Sequence, residues 1–215
     1  MIDLHTHTFF SDGELIPSEL VRRAEDKGYK AIALTDHVDA SNIDIVVPRI
    51  VKVAEELNRL QSVKVIAGLE LTHVPPASIK RLADAAREMG AQLVLVHGET
   101  PVEPVKEGTN LAAIEAGVDV LAHPGLITRD EVRLAVKKGI LLEITTRKGH
   151  SLGNGIVAKL ALQENALLIV NTDTHAPGDL VTEAYAKKVL LCAGIPEEKT
   201  HSIFQNSVHA VQKVL

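Results

Sequence analysis

Apolar residues along this chain fall into two alternating kinds of segment. Short runs of Val, Ile, Leu and Ala occur at Ile2–His7, Ala31–His37, Val63–His73, Gln92–Glu99, Val118–His123, Ile140–Arg147 and Leu167–His175. Unbroken apolar runs of this length mark strands buried on both faces, as in parallel sheets. The segments between them carry helical patterning. Pro17–Lys27 opens on a proline and closes at Gly28, a common pairing at helix ends. Asp44–Gln61 repeats Ile45, Val46, Ile50, Val53, Ala54 and Leu57 at helical spacing with charges between them. Helices are also predicted over Pro76–Met89, Leu111–Ala116, Arg129–Lys138, Gly155–Asn165 and Leu180–Ala193, with Glu197–Val214 as a closing helix after Pro196.

The rhythm is strand–helix repeated seven times, with no linker or low-complexity segment to divide it. This predicts one α/β domain over residues 1–215, either a seven-stranded barrel or an open doubly wound sheet. The strand ends favour the barrel. Every run except Ile140–Arg147 finishes in histidine or carboxylate, and in an α/β barrel all carboxyl ends of strands meet on one face. In an open sheet the outer ends lie too far apart to share a site. The convergence predicts a multi-metal centre.

His5 and His7 stand two apart on the first strand, so both face one way, about 6.5–7 Å apart. Asp3 shares that face and is a candidate to orient an imidazole. Asp12, in Phe9–Gly13, taken alone reads as a turn residue. His37 is a donor candidate at the second strand's end, with Asp36 either a supporting carboxylate or a helix cap. Glu70 lies inside an apolar run, where an unpaired carboxylate is costly; bridging two cations would resolve that cost. His73, three residues on, reads as a loop histidine. His97 and Glu99, then His123, then Asp173 and His175 complete the strand ends. Strand six offers Glu143 with no evident role and, after it, Arg147, whose guanidinium suits bidentate phosphate binding if it is not a solvated loop charge. Lys148 and His150 are further substrate-side candidates in the same loop. His201 and His209 are expected to face solvent from the last helix.

Composition narrows the chemistry. Of 215 residues, 46% are hydrophobic and 2% aromatic, and the net charge is −5 with no basic run. Proteins that bind single-stranded nucleic acid combine basic grooves with aromatic platforms, so a nucleic-acid partner is disfavoured. The sole cysteine, Cys192, is expected as a small buried hydrophobe in a reducing, cytoplasmic setting. The first strand starts at Ile2, leaving no space for a signal peptide, and no run approaches a membrane span of about 20 residues.

Taken in order, His5-Thr6-His7 with Asp12, Thr35-Asp36-His37, Gly68-Leu69-Glu70, His97, Ala122-His123-Pro124 and Asp173-Thr174-His175 resemble the motifs of the PHP (polymerase and histidinol phosphatase) family, over the whole chain. The resemblance implies a distorted seven-stranded (β/α)7 TIM-like barrel with an additional C-terminal helix. It implies three divalent metal ions: one on His5, His7, Glu70 and Asp173, a second sharing Glu70 with His97 and His123, and a third on Asp12, His37 and His175. Several relatives carry histidine where this chain has Asp12, and an oxygen donor there shifts preference from Zn²⁺ toward Mn²⁺ or Fe²⁺. The implied activity is hydrolysis of a small phosphate monoester, histidinol phosphate being the best-named candidate, by a metal-activated hydroxide. Glu70, Asp173 and Arg147 are the expected catalytic residues, with Arg147, Lys148 and His150 on the substrate. The alternatives are a 3′–5′ exonuclease or nucleotide phosphodiesterase, an amidohydrolase-type enzyme, or a metal-binding module without activity. The acidic loop Glu99–Asn110 borders the expected entrance; Glu99, Glu103 and Glu107 would favour a cationic group if they face it.

Overall fold

A computed structural model describes residues 1–214. Its strands are β1 (Ile2–Asp3), β2 (Ala31–Leu34), β3 (His37–Val38), β4 (Lys64–Leu71), β5 (Leu93–His97), β6 (Val120–Ala122), β7 (Leu141–Thr145) and β8 (Leu168–Asn171). All pairings are parallel, in the order β1-β2-β4-β5-β6-β7-β8, with β3 paired to β4 alone. Beyond the last strand pair the ends are joined by a parallel bridge between Thr6 and Thr174, and by Asp173 N–H donating to His5 O at 3.0 Å. The result is a nearly closed α/β barrel of seven strand positions.

The second expected strand is broken in two. At the break Asp36 turns toward the loop after β1 and accepts from Thr8 N at 2.8 Å, Thr8 Oγ1 at 2.8 Å, Ser11 N at 3.1 Å and Ser11 Oγ at 2.8 Å. Backbone bonding continues across the break, with Thr35 N donating to Thr6 O at 2.8 Å and Glu70 N to Asp36 O at 3.0 Å, and β3 resumes with His37 abreast of Glu70.

Eight helices alternate with the strands: α1 (Pro17–Asp26), α2 (Ile43–Leu60), α3 (Pro76–Glu88), α4 (Thr109–Ala116), α5 (Arg129–Lys138), α6 (Asn154–Glu164), α7 (Glu183–Cys192) and α8 (Glu197–Val214). Helix α5 shows why sequence sets these boundaries. A capping box joins Thr128 and Glu131 at its start, and Gly139 closes it at φ 70°, a conformation that costs glycine no Cβ clash. Helix α7 begins three residues later than expected, because Thr182 caps it, its side chain accepting from Tyr185 N; Pro177–Asp179 form a 3-10 turn before it.

Two apolar layers follow from strand alternation. Outward-facing side chains pack under the helices, as Ile32, Val65 and Val94 do. Inward-facing Leu4, Ala31, Ala33, Ile66, Leu93, Leu95, Val120, Leu141 and Ile169 fill the lower barrel, and Val211 of α8 seals it from below. The same inward parity, continued upward, carries Glu70, His97, Glu143, Asn171 and Asp173. Apolar packing below and ionisable groups above are thus one alternation along β4, β5, β7 and β8, whereas His5, His7 and His123 lie off the parity of Leu4 and Val120. Cys192 does not join the core: it is exposed, because the buried stripe of α7 runs through Ala186 and Leu190. His201 and His209 face solvent as expected. No helix of the described residues is long and apolar enough to cross a membrane.

Candidate metal centre

All nine expected donors gather at the carboxyl ends of the strands. His7, Asp12, His37 and His175 form one group, His5, His7 and Glu70 a second, His5, His123 and Asp173 a third, and His97, His123 and His150 a fourth; within each, donor atoms lie within 4.8 Å of one another. Relative to expectation, His7 also faces the Asp12 group and His150 joins His97 and His123.

The backbone delivers two of these side chains by strain. Beyond β6 and β8, His123 at φ 27° and Asp173 at φ 54° adopt the left-handed region, uncommon for non-glycine residues and concentrated at functional sites. Asp12 comes from the loop that Asp36 holds, so Asp36 is a supporting carboxylate and not a helix cap. The loop lies so close to the first strand's end that a Cβ on Gly13 would sit 2.4 Å from His7 O, which excludes other side chains there.

Imidazole tautomers are fixed by what each Nδ1 meets. A carbonyl or ionised carboxylate can only accept, so Nδ1 donates and Nε2 is left bare for a cation. His5 Nδ1 meets Glu143 Oε1 at 2.9 Å, His97 Nδ1 meets Gly98 O at 3.2 Å and His175 Nδ1 meets Asp173 O at 2.9 Å, while His37 Nδ1 is hydrogen-bonded at 2.6 Å to Thr72 Oγ1, which itself donates to Glu70 Oε2 at 3.1 Å. His5 Nε2, both nitrogens of His7, His123 Nδ1 and Glu70 Oε1 are buried with no hydrogen-bond partner. Such atoms are expensive unless something else satisfies them.

Donor separations point to what that is. His5 Nε2 lies 3.3 Å and His123 Nε2 3.6 Å from Glu70 Oε1; His7 Nε2 lies 3.1 Å from Asp173 Oδ1; His175 and His37 Nε2 lie 3.2 and 3.5 Å from Asp12 Oδ1. All five exceed the roughly 2.7–2.9 Å of a charge-assisted hydrogen bond. They match adjacent corners of a shell around an ion bound at about 2.0–2.2 Å. The residues fit divalent cations.

Electrostatics agree. Burial pushes Glu70 up, but His5, His97 and His37 outweigh it and hold the carboxyl well below its usual range. Burial pushes Asp173 up to about 7, against the pull of His5. Burial holds His7 and His123 well below the ordinary imidazole value, so both are neutral and ready to ligate. His5 is the exception: Glu143, Glu70 and Asp173 overcome its burial and raise it.

Around this centre lies a cavity of about 260 Å³ walled by His73, His97, Glu103, Arg147 and His150, among others. Arg147 Nη1 donates to Asp179 Oδ2 at 3.2 Å and to Asp173 O at 3.4 Å. Lys148 instead lines a neighbouring groove with Lys27 and Tyr185. Asp3 does not orient an imidazole; it accepts from the backbone N–H of His5 and of Thr172, at 3.3 and 3.1 Å. Of the acidic loop, Glu103 faces the mouth, whereas Glu99 accepts from Asn110 N at 2.9 Å at the start of α4 and Glu107 is exposed. The orienting role on His5 belongs to Glu143, a residue the sequence left without one; its signal was a carboxylate inside an apolar run, the same signal that marked Glu70.

A family model for the PHP domain matches residues 3–110. An uncharacterized protein of Methanocaldococcus jannaschii is 49% identical over 92% of this chain and 91% of its own length. A probable phosphatase of Shewanella pealeana is 26% identical over 93% of this chain and 87% of its own. Among solved structures, a chain of archaeal ribonuclease P with mature tRNA superposes with TM-score 0.73 at 16% identity, covering 99% of this chain and 90% of that one. Histidinol phosphate phosphatase of Lactococcus lactis, complexed with zinc, L-histidinol and phosphate, gives 0.64 at 16% identity, covering 91% and 94%. At such identities the two structures speak for the fold alone.

Proposed function

The chain belongs to the PHP domain family and is a metal-dependent hydrolase, and on that premise we propose that it hydrolyses small phosphate monoesters at a three-cation centre, with histidinol phosphate the first substrate to test. The observation that carries the reading is that His5 Nε2, His7 Nε2 and Glu70 Oε1 are buried with no hydrogen-bond partner, each facing another donor at coordination spacing. His5, His7, Glu70 and Asp173 would hold one ion, Glu70, His97 and His123 a second, and Asp12, His37 and His175, with His7 beside them, a third. Bound divalent cations would polarise a phosphoryl group and lower the pKa of water toward ~7.

The chain's own residues then have separate tasks. Glu143 holds His5 in the tautomer that bares Nε2, and Thr72, itself donating to Glu70, does the same for His37. Asp36 fixes the loop bearing Asp12. Arg147, at the cavity wall, binds a phosphate oxygen and orients the ester. The cavity of about 260 Å³ falls below the ~300–1,000 Å³ of pockets that enclose drug-sized ligands, so it takes the phosphoryl group and leaves the remainder of the substrate at the mouth. The names of the Shewanella and Lactococcus proteins support a phosphatase. The test is phosphate release by protein loaded with Mn²⁺ or Zn²⁺, across histidinol phosphate, other small monoesters, nucleotides and a short single-stranded oligonucleotide. Turnover of monoesters is expected. Hydrolysis confined to the nucleotides or the oligonucleotide would transfer the protein to the nuclease reading.

A further inference from the structure

The mouth of the centre holds donors that the nine-residue set does not use. Among the described residues, the carboxylate at ion-pair distance from His97 is not Glu70 but Glu103, whose Oε2 lies 3.3 Å from His97 Nε2. The other oxygen of Glu103 lies 3.4 Å from His150 Nε2. Both separations match those between donors elsewhere in the centre. His97 Nδ1 already donates to Gly98 O, and His150 Nδ1 is hydrogen-bonded to Thr100 Oγ1 at 2.8 Å, so each ring presents Nε2 to the same carboxylate. The rings of His97 and His150 stand at 84°, and their in-plane lone pairs can converge on one point. His150 and His123, by contrast, are stacked at 15° and 4.2 Å. Parallel planes do not share an in-plane ion, so His150 pairs with His97, and His123 stays with Glu70.

We propose that the ion held by His97 takes Glu103 and His150, contributed by the loops after β5 and β7, in place of Glu70 and His123. This rests on the metal reading above and moves His150 from the substrate side to the metal. His73 stands behind the new donor set, with Nε2 3.1 Å from Glu103 Oε2, where it orients the carboxylate as outer partners of metal ligands do. Two imidazoles and one carboxylate with an open position are a donor set typical of zinc. The Asp12 group, with an exposed carboxylate, is the better place for a harder ion. The centre therefore holds chemically unequal positions, and the one at the mouth selects for zinc.

The test is metal binding by the full chain, independent of turnover. Zn²⁺ stoichiometry and affinity would be measured by competition with a chromophoric chelator, and Co²⁺ substitution followed by visible absorption, for wild type, Glu103→Ala, His150→Gln and His97→Ala. Circular dichroism would confirm that each variant is folded; Glu103 sits in a surface loop, so its replacement leaves the barrel intact. Glu103→Ala and His150→Gln are each expected to weaken one ion about tenfold or more, to change the Co²⁺ spectrum, and to leave the other ions bound. If both variants keep wild-type affinity and spectrum while His97→Ala loses an ion, this assignment is overturned and the metal centre stands. If wild type binds no divalent ion, the metal centre itself falls, and this assignment with it.

Discussion

Glu143 Oε1 accepts the Nδ1–H of His5 at 2.9 Å while its Oε2 accepts the backbone N–H of His123 at 3.0 Å. One buried carboxylate thus orients the ring of one donor and the strained backbone of another, and Asn171 Nδ2 steadies it at 2.8 Å. In Glu143→Gln the amide cannot accept on both sides, and its NH₂ would face one donor. Metal affinity is expected to fall about 10–100-fold, the usual cost of losing an outer partner, with the far-UV spectrum retained. Chelator competition measures this; wild-type affinity in the variant would show that His5 needs no such partner.

Asp36 acts on the third ion from a distance. It accepts four bonds from Thr8 and Ser11, bonds to charged groups contribute about 1.5–3 kcal/mol each, and burial of the carboxylate offsets part of that sum. Asp36→Ala is expected to destabilise the fold by about 2–4 kcal/mol and to release the ion at Asp12 first. Urea denaturation and metal content together check it. A stability loss with full metal content would confine Asp36 to the fold.

Most donors were legible because they sit where an apolar run stops, and a polar residue at the end of a buried strand has to face something; Asp12, in a loop, was legible only through the family resemblance. Glu143 carried the marker of Glu70, a carboxylate inside an apolar run, but its role shows only in its 2.9 Å contact with His5 Nδ1. The interruption at Thr35–Asp36 was hidden because Asp36 satisfies a loop 25–28 residues earlier, a relation without a local pattern. Cys192 misled because apolar neighbours in α7 suggested burial, whereas helix phase places it off the packed stripe.

Asp3 gives the protein a pH dependence with a definite sign. Burial pushes its carboxyl from 3.8 up to about 6. Between those values the folded state binds more protons than the unfolded one, so stability falls as pH rises through that window. The rise corresponds to about 3 kcal/mol of penalty fully present near pH 7. In chelator-treated protein, wild type should therefore gain stability relative to Asp3→Asn as pH drops from 7 to 4. Parallel denaturation midpoints for the two proteins across that range would contradict it.

Removing the metals should weaken the fold through the same buried atoms. An ion that binds only the folded state stabilises it by about 2.7 kcal/mol at one hundred times its Kd. For a chain of this length that is a rise of about 5–10 °C in Tm per site. Melting curves after chelation, then with Mn²⁺ or Zn²⁺ restored, are expected to differ by at least that amount. An unchanged Tm would mean that the unpartnered nitrogens of His5, His7 and His123 are tolerated without ions.

Arg147 separates binding from catalysis. Its guanidinium is tethered to Asp179 Oδ2, which also accepts the backbone N–H groups of His175 at 3.0 Å and Ala176 at 2.8 Å. The tether leaves the guanidinium at the cavity wall, with Nε 3.9 Å from Asp173 Oδ2. One or two charged hydrogen bonds to a phosphate, at about 1.5–3 kcal/mol, correspond to a KM increase of roughly tenfold to a hundredfold. Arg147→Ala should show that increase, together with weaker inhibition by inorganic phosphate and unchanged metal content. Arg147→Lys should not restore it, because an ammonium cannot hold Asp179 and a phosphate oxygen in one plane. If KM and phosphate inhibition are both unchanged, Arg147 serves only to hold Asp179 and the chain after β8, and the phosphate must be bound by the ions alone.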